Sequence, residues 1–281
     1  MQDEIKILAV VVTYYPNVEE TQRNIQQFIE DVDSLIIWQN TPVEDIEKYK
    51  FDIANNSGKI LYMGIGCNVY IASALNHAVN YGFENNFTHI LTLDQDSYFE
   101  TGHFRKYVET ICKYKSLISI FGPNPNYSEP GISDIPVEKS TLITSGNIVK
   151  LDVFKNIGLY REDYKIDCVD YEFCFRAYRN GYKSYMVNSV LLKQEFGVSK
   201  KTRLGYYISN YSAQRLYFIA RNNIKLYREY PDLVSVLTVI NRIIKPFIKI
   251  IISEPNKISK ISAILRGVIN GIRSESSIVK L

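Results

Sequence analysis

The chain has 281 residues, enough for one large domain or for one domain with a small appendage. Hydrophobic residues make up 46% and charged residues 22%, a globular composition that excludes an intrinsically disordered chain. The formal net charge is +3; Leu233–Leu281 holds 8 Lys and Arg and 2 Asp and Glu, a net of +6, which leaves −3 for Met1–Asp232. This asymmetry predicts a basic docking segment, and we expect no nucleic acid as a partner.

Cysteine usage and the terminal segment predict a cytoplasmic protein. The four cysteines form no C-x-x-C pair and have no histidine at metal spacing, so we interpret them as free thiols in a reducing compartment. The amino terminus enters an apolar strand without a small-residue cleavage site, so no signal peptide is predicted. No stretch of about 18 residues lacks charge, so no membrane-spanning helix is predicted.

The first part of the chain alternates apolar runs with segments of helical spacing. Strands are predicted at Ile5–Val12, Leu35–Trp38, Lys59–Met63, Thr88–Leu93 and Leu117–Phe121. Helices are predicted at Val18–Glu30, Ile71–Tyr81 and Thr101–Tyr114. This alternation predicts an α/β fold with right-handed crossovers and a mainly parallel, Rossmann-related sheet flanked by helices. Ligands of such sheets bind at the carboxyl ends of the strands.

The regular alternation of strands and helices ends at a Pro- and Asn-rich loop in the middle of the chain. A helix is predicted at Asp170–Arg179, ended by Gly181, and a long aromatic helix at Tyr206–Tyr230. We expect one main domain over 1–232, divided into a first half at 1–122 and a second half at 123–232. The segment 233–281 is predicted to be a separate amphipathic helical tail.

The tail carries two candidate amphipathic helices. In the first, Arg242, Lys245 and Lys249 share one face, and Pro246 should kink the helix or end its first half. In the second, apolar residues recur at helical period from Ile258 to Ile272. Such segments fit helices lying in the plane of the inner face of the cell membrane. The alternative is that they pack on the catalytic domain or across a homodimer; the charge excess favours the membrane.

Two acidic motifs carry candidate chemistry. Asp94 and Asp96 follow the apolar run LTL at the end of a predicted strand, where carboxylates can hold a hard divalent cation such as Mg²⁺ or Mn²⁺. The alternative for this pair is a helix cap or a surface turn. Asp170 opens the helix DYEFCFRAYRNG and is a candidate general base, ionised because a helix amino terminus lowers a carboxylate's pKa. Its alternative is a favourable first-turn charge.

Six segments in order resemble family 2 inverting glycosyltransferases of the GT-A fold, in the bacterial rhamnosyltransferase-like branch. They are VVTYYP, NVYIASALN, LDQDS, TSGNIVKLDVFKNIGLYRE, VDYEFCFRAYRNGYK and QRLYFIARN. The resemblance covers roughly four-fifths of the chain. It implies that 1–232 is a catalytic domain, with a nucleotide-sugar half at 1–122 and an acceptor half at 123–232. It implies a metal-dependent transfer of a sugar, L-rhamnose from dTDP-L-rhamnose, to a saccharide or lipid-linked saccharide in cell-surface polysaccharide assembly.

The resemblance also implies roles for individual residues. Donor-binding residues would be Thr13, Tyr14, Tyr15, Gln39, Asn40, Asn68, Asn76, Asp94 and Gln95. Acceptor-binding residues would be Ser145, Gly146 and Glu172, with Asp170 as the base. Asp96, with Asp94, would hold the metal. Where the family often has His-x-x-Gly, this chain reads Gln194-Glu195-Phe196-Gly197, so Glu195 or water would replace the histidine. Gln39 also stands where the family usually has an aspartate, and Tyr15 where the branch usually has an asparagine.

Several alternatives remain open at this point. The donor sugar could instead be galactofuranose, glucose or N-acetylglucosamine, or the chain could be a non-catalytic subunit that binds nucleotide sugars. A nucleotidyltransferase would need a Gly- and Lys-rich phosphate loop, which TYYPNVEE lacks. Gly64-Ile65-Gly66 begins like a dinucleotide fingerprint, but Val69 takes the place of the third glycine. Arg215 and Arg221 could clamp a diphosphate or stack on neighbouring aromatic rings.

Overall fold

The computed structural model of the chain describes residues 5–53, 58–117, 119–125, 133–194, 200–201, 207–208 and 210–274. The chain divides into two units. An α/β unit comprises Met1–Glu162 and Phe173–Glu195, and a helical unit comprises Asp163–Glu172 and Phe196–Leu281. This division differs from the predicted boundary at residue 232, because the long aromatic helix groups with the tail helices.

The α/β unit is built on one large sheet. Its strands are β1 (Ile7–Thr13), β2 (Ser34–Gln39), β3 (Ile60–Met63), β4 (His89–Asp94), β5 (Ser97–Phe99), β6 (Ile120–Pro125), β7 (Val137–Lys139), β8 (Asn147–Lys150) and β9 (Ser184–Gln194). The order is β3-β2-β1-β4-β8-β6-β9-β5, with β7 paired to β9. The helices are α1 (Val18–Gln26), α2 (Tyr70–Glu84), α3 (His103–Lys113) and α4 (Leu151–Ile157); α5 (Val169–Arg179) begins in the helical unit.

The first half of this sheet follows the predicted pattern. All seven residues of β1 are buried, as expected for a strand covered on both faces. β1 pairs in parallel with β2 and β4, and β2 pairs in parallel with β3. The carboxyl ends of these strands therefore lie along one edge of the sheet.

The second half of the sheet is mixed, which the prediction of a mainly parallel sheet did not include. β8 lies between β4 and β6 and is antiparallel to both. β9 is parallel to β6 but antiparallel to β5 and β7. The predicted loop after Phe121 is in part strand, since β6 continues to Pro125. The long strand β9 carries the chain to Gln194, at the same end of the sheet as Asp94.

The helical unit contains α6 (Ala213–Glu229), α7 (Val236–Ser253) and α8 (Lys257–Arg273), with the short pair β10 (Lys200–Lys201) and β11 (Tyr207–Ile208). Leu216 and Ala220 of α6 pack with Ile250 of α7 and Ile264 of α8. Gly267 allows the close approach of α8 to α6, because a Cβ there would lie 2.5 Å from the Tyr217 carbonyl oxygen.

Both tail helices pack against α6. α8 packs one face on α6, as the packing alternative predicted, while Ile258, Leu265, Ile269 and Ile272 stay exposed. α7 runs through Pro246 without ending there. No helix among the described residues is both long enough and apolar enough to cross a membrane.

Candidate active site

Both carboxylates of the acidic motif accept hydrogen bonds from the same side-chain amide. Asp94 is the last residue of β4, and Asp96 follows it in a tight turn before β5. The Gln194 amide nitrogen donates to Asp94 Oδ2 at 2.9 Å and to Asp96 Oδ1 at 3.3 Å. Both carboxylates therefore lie around one point at the carboxyl end of the sheet, where α/β proteins bind ligands.

The chemistry of this trio fits a hard divalent cation. Two carboxylates supply anionic oxygens, and rotation of the Gln194 amide would replace its nitrogen by an oxygen, which such cations accept. Within the described ranges no three His, Cys, Asp or Glu side chains are grouped closely enough to hold a metal. The predicted substitute ligand Glu195 lies outside the described residues. Gln194 was not predicted, although it stands at the position of the family's histidine.

Ser145 and Gly146 support Asp94 from the neighbouring segment. The Asp94 backbone N–H donates to Ser145 Oγ at 3.0 Å, and Ser145 Oγ donates to Ser97 Oγ at 2.8 Å. Ser145 is buried, and Gly146, with φ of +84°, leaves no room for a Cβ beside Pro123. The structure does not agree with direct acceptor binding by Ser145, because its hydroxyl is buried and already bonded on both sides.

Gln95, predicted to bind the donor, fixes the loop that follows β1. Its side chain accepts from the Tyr14 N–H at 2.7 Å and donates to the Tyr14 carbonyl at 3.3 Å. This pairing ties the acidic turn to the loop carrying Tyr14 and Tyr15. Gln95 therefore positions a candidate donor contact through the backbone of Tyr14.

Tyr14 and Tyr15 are exposed aromatic residues at this edge of the sheet, with 47% and 41% of their surface accessible. Their rings meet edge to face with centroids 4.6 Å apart. The Tyr15 N–H donates to Thr41 Oγ1 at 2.9 Å, and its hydroxyl donates to Asp45 Oδ2 at 3.1 Å. Desolvation and this bond to Asp45 raise the pKa of Tyr15, so the phenol stays protonated at neutral pH. Such a pair suits stacking against a nucleotide base.

The remaining residues predicted to bind the sugar donor differ in their exposure to solvent. Gln39 ends β2 and is half-buried, so it remains available at the edge of the sheet. Asn68 is also half-buried, and its side chain accepts from the Tyr70 N–H at 2.8 Å, which shapes the start of α2. The other three, Thr13, Asn40 and Asn76, are buried.

Each buried residue of that set bonds to the protein itself. Thr13 Oγ1 donates to the Trp38 carbonyl at 3.1 Å, and Asn40 Oδ1 accepts from Trp38 Nε1 at 3.1 Å. Asn76 Nδ2 donates to the Tyr160 carbonyl at 2.8 Å and Oδ1 accepts from the Tyr160 N–H at 2.9 Å. The structure does not agree with direct donor contact by these three side chains, because internal partners use their polar atoms.

In the helical unit, Asp170 lies at the start of α5, after an unusual loop. Lys165, Asp167 and Cys168 all have positive φ, between 58° and 65°. Burial, opposed by a hydrogen bond from the Tyr171 N–H, raises the pKa of Asp170 to about 6. The prediction that the helix amino terminus lowers this pKa is wrong in direction, because desolvation outweighs the helix dipole. The carboxylate is still mostly ionised at pH 7.

The loop before Asp170 is held by one buried side chain of α6. Asn222 Nδ2 donates to the carbonyls of Tyr164, Ile166 and Asp167 at 2.8, 2.7 and 2.9 Å. Asn222 has no exposed surface. Sequence reasoning gave it no role, although Asn222 is the last residue of QRLYFIARN, one of the segments that carry the family resemblance.

Glu172 and the two arginines of α6 have structural partners. Glu172 is fully buried and accepts from the Tyr230 hydroxyl at 3.0 Å, which does not agree with its predicted contact to an acceptor, because it lacks access to solvent. Arg215 lies 4.5 Å from the centre of the Tyr211 ring, and Arg221 lies 5.0 Å from that of Phe218. Stacking, the alternative for both arginines, is confirmed.

Known proteins resemble this chain in sequence and in fold. No family model matches the chain. It is 25% identical over 287 residues to the dTDP-rhamnosyl transferase RfbF of Shigella flexneri, with 95% of each chain covered. Among solved structures it is similar to GalNAc-T7 with UDP, GalNAc and Mn²⁺ at a TM-score of 0.61 and 10% identity, covering 82% of this chain and 48% of that one. This chain thus spans about half the length of that neighbour.

A second solved structure, S. aureus TarS 1-349, matches with a TM-score of 0.50 and 11% identity, covering 95% of this chain and 81% of that one. The solved structures establish the fold, and the full-length similarity to a rhamnosyl transferase indicates the class of reaction. Together with a paired-carboxylate motif at the carboxyl end of β4, they identify the chain as a glycosyltransferase of the GT-A fold.

Proposed function

We propose that the chain transfers L-rhamnose from dTDP-L-rhamnose to a hydroxyl of a saccharide or lipid-linked saccharide, with inversion at the transferred carbon. The observation that carries this proposal is the convergence of Asp94 and Asp96 on Gln194, beside a loop bearing two exposed tyrosines. The similarity to RfbF, named a dTDP-rhamnosyl transferase, supports the choice of donor.

The donor would bind along the carboxyl edge of the sheet. Tyr14 or Tyr15 would stack on the base, and Gln39 would hydrogen-bond to its edge through the amide. Asp94, Asp96 and Gln194 would hold Mg²⁺ or Mn²⁺. A cation there supplies positive charge that stabilises the diphosphate as it leaves.

Asp170 would take the proton from the attacking acceptor hydroxyl. A general base works best when its pKa lies near the operating pH, and the raised pKa of about 6 meets that condition. The transfer is a single displacement: the acceptor oxygen bonds to the anomeric carbon, the bond to the diphosphate breaks, and the proton moves to Asp170. No covalent intermediate with the protein forms.

We also propose that α7 and α8 hold the enzyme on the inner face of the cell membrane. Eleven of the nineteen exposed large apolar side chains in the described residues lie on these two helices. Seven apolar residues of α7 are 44% to 66% exposed, and the helix carries Arg242, Lys245 and Lys249 without an acidic residue. This combination of apolar exposure and positive charge fits an anionic bilayer surface.

Donor identity is tested by thermal shift against dTDP-L-rhamnose and the UDP forms of galactofuranose, glucose and N-acetylglucosamine, with and without Mn²⁺. Ligand at about 100 times its Kd should stabilise the folded state by about 2.7 kcal/mol. We expect the Mn²⁺-dependent shift with dTDP-L-rhamnose alone, and product NMR should show an inverted anomeric centre. A larger shift with a UDP sugar would contradict the donor assignment, and binding without turnover would support the non-catalytic alternative.

Membrane binding is tested by flotation of the full chain with anionic liposomes. Ile244→Asn with Ile248→Asn removes apolar surface from α7, and Ile135→Asn with Val137→Asn removes exposed apolar surface from the α/β unit as a matched control. We expect only the α7 pair to lose flotation. Equal flotation of both pairs would show that α7 does not contact the bilayer.

A further inference from the structure

The helical unit contains a cavity of about 550 Å³ beside the start of α5. Polar side chains from three elements line it: Asp167 and Tyr171 near α5, Asn223 of α6, and Asn241, Arg242 and Lys245 of α7. Asp167 and Tyr171 flank Asp170 in the sequence. None of the residues predicted to bind the acceptor lines this cavity.

One side of the cavity is cationic. Arg242 Nη1 donates to Asn223 Oδ1 at 3.0 Å, and its guanidinium lies 4.4 Å from the centre of the Tyr171 ring. These two contacts hold the side chain in place, while a guanidinium has five N–H donors in all. Within the part of the chain that the structure describes, neither Arg242 nor Lys245 forms an ion pair with a carboxylate, although the charge of Arg242 opposes the burial that raises the pKa of Asp167 and of Asp170. Lys245 is exposed one turn further along α7. Such a fixed guanidinium with a nearby ammonium suits a phosphate group.

Another part of the cavity offers a hydrogen-bond acceptor. Asp167 Oδ2 is buried and has no hydrogen-bond partner among the described residues, while Oδ1 lies 3.5 Å from Arg215 Nη2. Arg215 balances the charge of this carboxylate, but Oδ2 still lacks a donor. A buried polar atom without a partner is destabilising, and a ligand hydroxyl donating to Oδ2 would supply the missing donor.

The exposed surface of α7 next to the cavity carries a row of apolar side chains. Leu237, Ile240, Ile244 and Ile248 recur at helical spacing and are exposed. At 3.6 residues per turn this apolar stripe runs beside the edge that carries Asn241 and Lys245. A phosphate in the cavity could therefore be joined to an apolar chain that lies along α7.

We propose that this cavity is the acceptor site and binds a sugar phosphate attached to an apolar chain. Arg242 and Lys245 bind the phosphate, and Asp167 Oδ2 accepts a hydrogen bond from a sugar hydroxyl. This assignment rests on the proposed glycosyl transfer, and it replaces Ser145 and Glu172 as acceptor contacts.

The test uses the full-length protein and three soluble probes: octyl phosphate, octyl glucoside and octyl glucosyl phosphate, each below its micelle concentration. Isothermal titration calorimetry should give a Kd for octyl phosphate at least about tenfold lower than for octyl glucoside or inorganic phosphate. Lys245→Gln and Arg242→Gln should each raise that Kd by about tenfold or more. Arg266→Gln, the same change of charge on an exposed residue of α8, should change it by less than about twofold.

Asp167→Asn should weaken binding of octyl glucosyl phosphate and leave octyl phosphate unchanged. Equal losses for Lys245→Gln and Arg266→Gln, or octyl phosphate binding no tighter than octyl glucoside, would overturn the proposal. Inorganic phosphate binding as tightly as octyl phosphate would overturn the role of the apolar chain. Binding of dTDP-L-rhamnose with Mn²⁺, measured on the same samples, separates failure of this site from failure of the proposed function.

Discussion

Replacing Asn222 by alanine should destabilise the helical unit and misplace the candidate base. The single amide group of Asn222 donates to the carbonyls of Tyr164, Ile166 and Asp167. These carbonyls belong to a loop in which Lys165, Asp167 and Cys168 have left-handed backbones. Such backbones cost non-glycine residues about 1–2 kcal/mol each, so the loop stores about 3–6 kcal/mol that other interactions must offset.

The magnitude follows from the hydrogen bonds that are lost. The Asn222 amide has two N–H hydrogens for three carbonyls, and the Tyr164 carbonyl also accepts from the Ile166 N–H. The change therefore removes two hydrogen bonds at about 1–1.5 kcal/mol each, a loss of about 2–3 kcal/mol. Alanine is the better helix former by about 0.6 kcal/mol, which offsets part of the loss. We therefore expect the free energy of unfolding to fall by about 2 kcal/mol.

Urea unfolding followed by circular dichroism measures this change, with Asn223→Ala as the matched control. Asn223 is also buried on α6; its Nδ2 donates to the Ile219 carbonyl at 2.8 Å within the helix, and its Oδ1 accepts from Arg242 Nη1 at 3.0 Å. It is a control for stability and not for turnover, because Arg242 belongs to the proposed acceptor site. Its replacement should cost only about 1 kcal/mol. Mn²⁺-dependent donor binding should persist in both variants, because the donor residues belong to the α/β unit.

Turnover gives a second measurement on the same proteins. Relaxation of the loop would shift Asp170, and a displacement of about 1 Å can cost about 10²-fold in rate. Asn222→Ala should therefore lower kcat strongly while the KM for the donor stays constant. If Asn222→Ala unfolds at the same urea concentration as Asn223→Ala and keeps normal kcat, the idea that Asn222 holds the loop in place is wrong.

Three further predictions concern the base, the metal and the packing of α8. Asp170→Asn should lower kcat by at least about 10²-fold with donor binding intact. The kcat/KM of the wild type should rise with pH through about 6, where the base is half-ionised, and level off above it; a flat profile from pH 5 to pH 7 would contradict this role. Asp96→Asn should abolish Mn²⁺-dependent donor binding, and unchanged affinity in calorimetry would exclude Asp96 as a ligand. Gly267→Ala should lower Tm although alanine favours helices, because its Cβ would lie 2.5 Å from the Tyr217 carbonyl oxygen; an unchanged or raised Tm would show that α8 does not pack there.

The sequence was sufficient to predict the first half of the sheet. Runs such as Ile7–Thr13 are apolar throughout, and this pattern indicates a strand covered on both faces wherever it occurs. The acidic pair after β4 was also predictable, because a polar motif directly after a buried strand lies at the edge where ligands bind. The helices α5 and α6 were recognisable from helical spacing and from Gly181, although their predicted ends differ from those observed.

The antiparallel strand β8 and the long strand β9 were missed because pairing direction depends on the path of the chain and leaves no local signal. For the same reason Gln194, 98 residues from Asp96, could not be assigned to the acidic pair before the strands were arranged.

Residue type alone predicted the chemistry of side chains but not their partners. Asn40, Asn76 and Ser145 were candidates for substrate contacts because amides and hydroxyls bind sugars and nucleotides. The same atoms satisfy buried backbone groups equally well, and the folded structure uses them in that way. The sequence by itself thus determined the buried strands, the acidic motif and the basic tail, since these depend on local composition and order. Only the tertiary structure decided which polar groups face solvent and that burial raises the pKa of Asp170, because desolvation depends on atoms distant in the sequence.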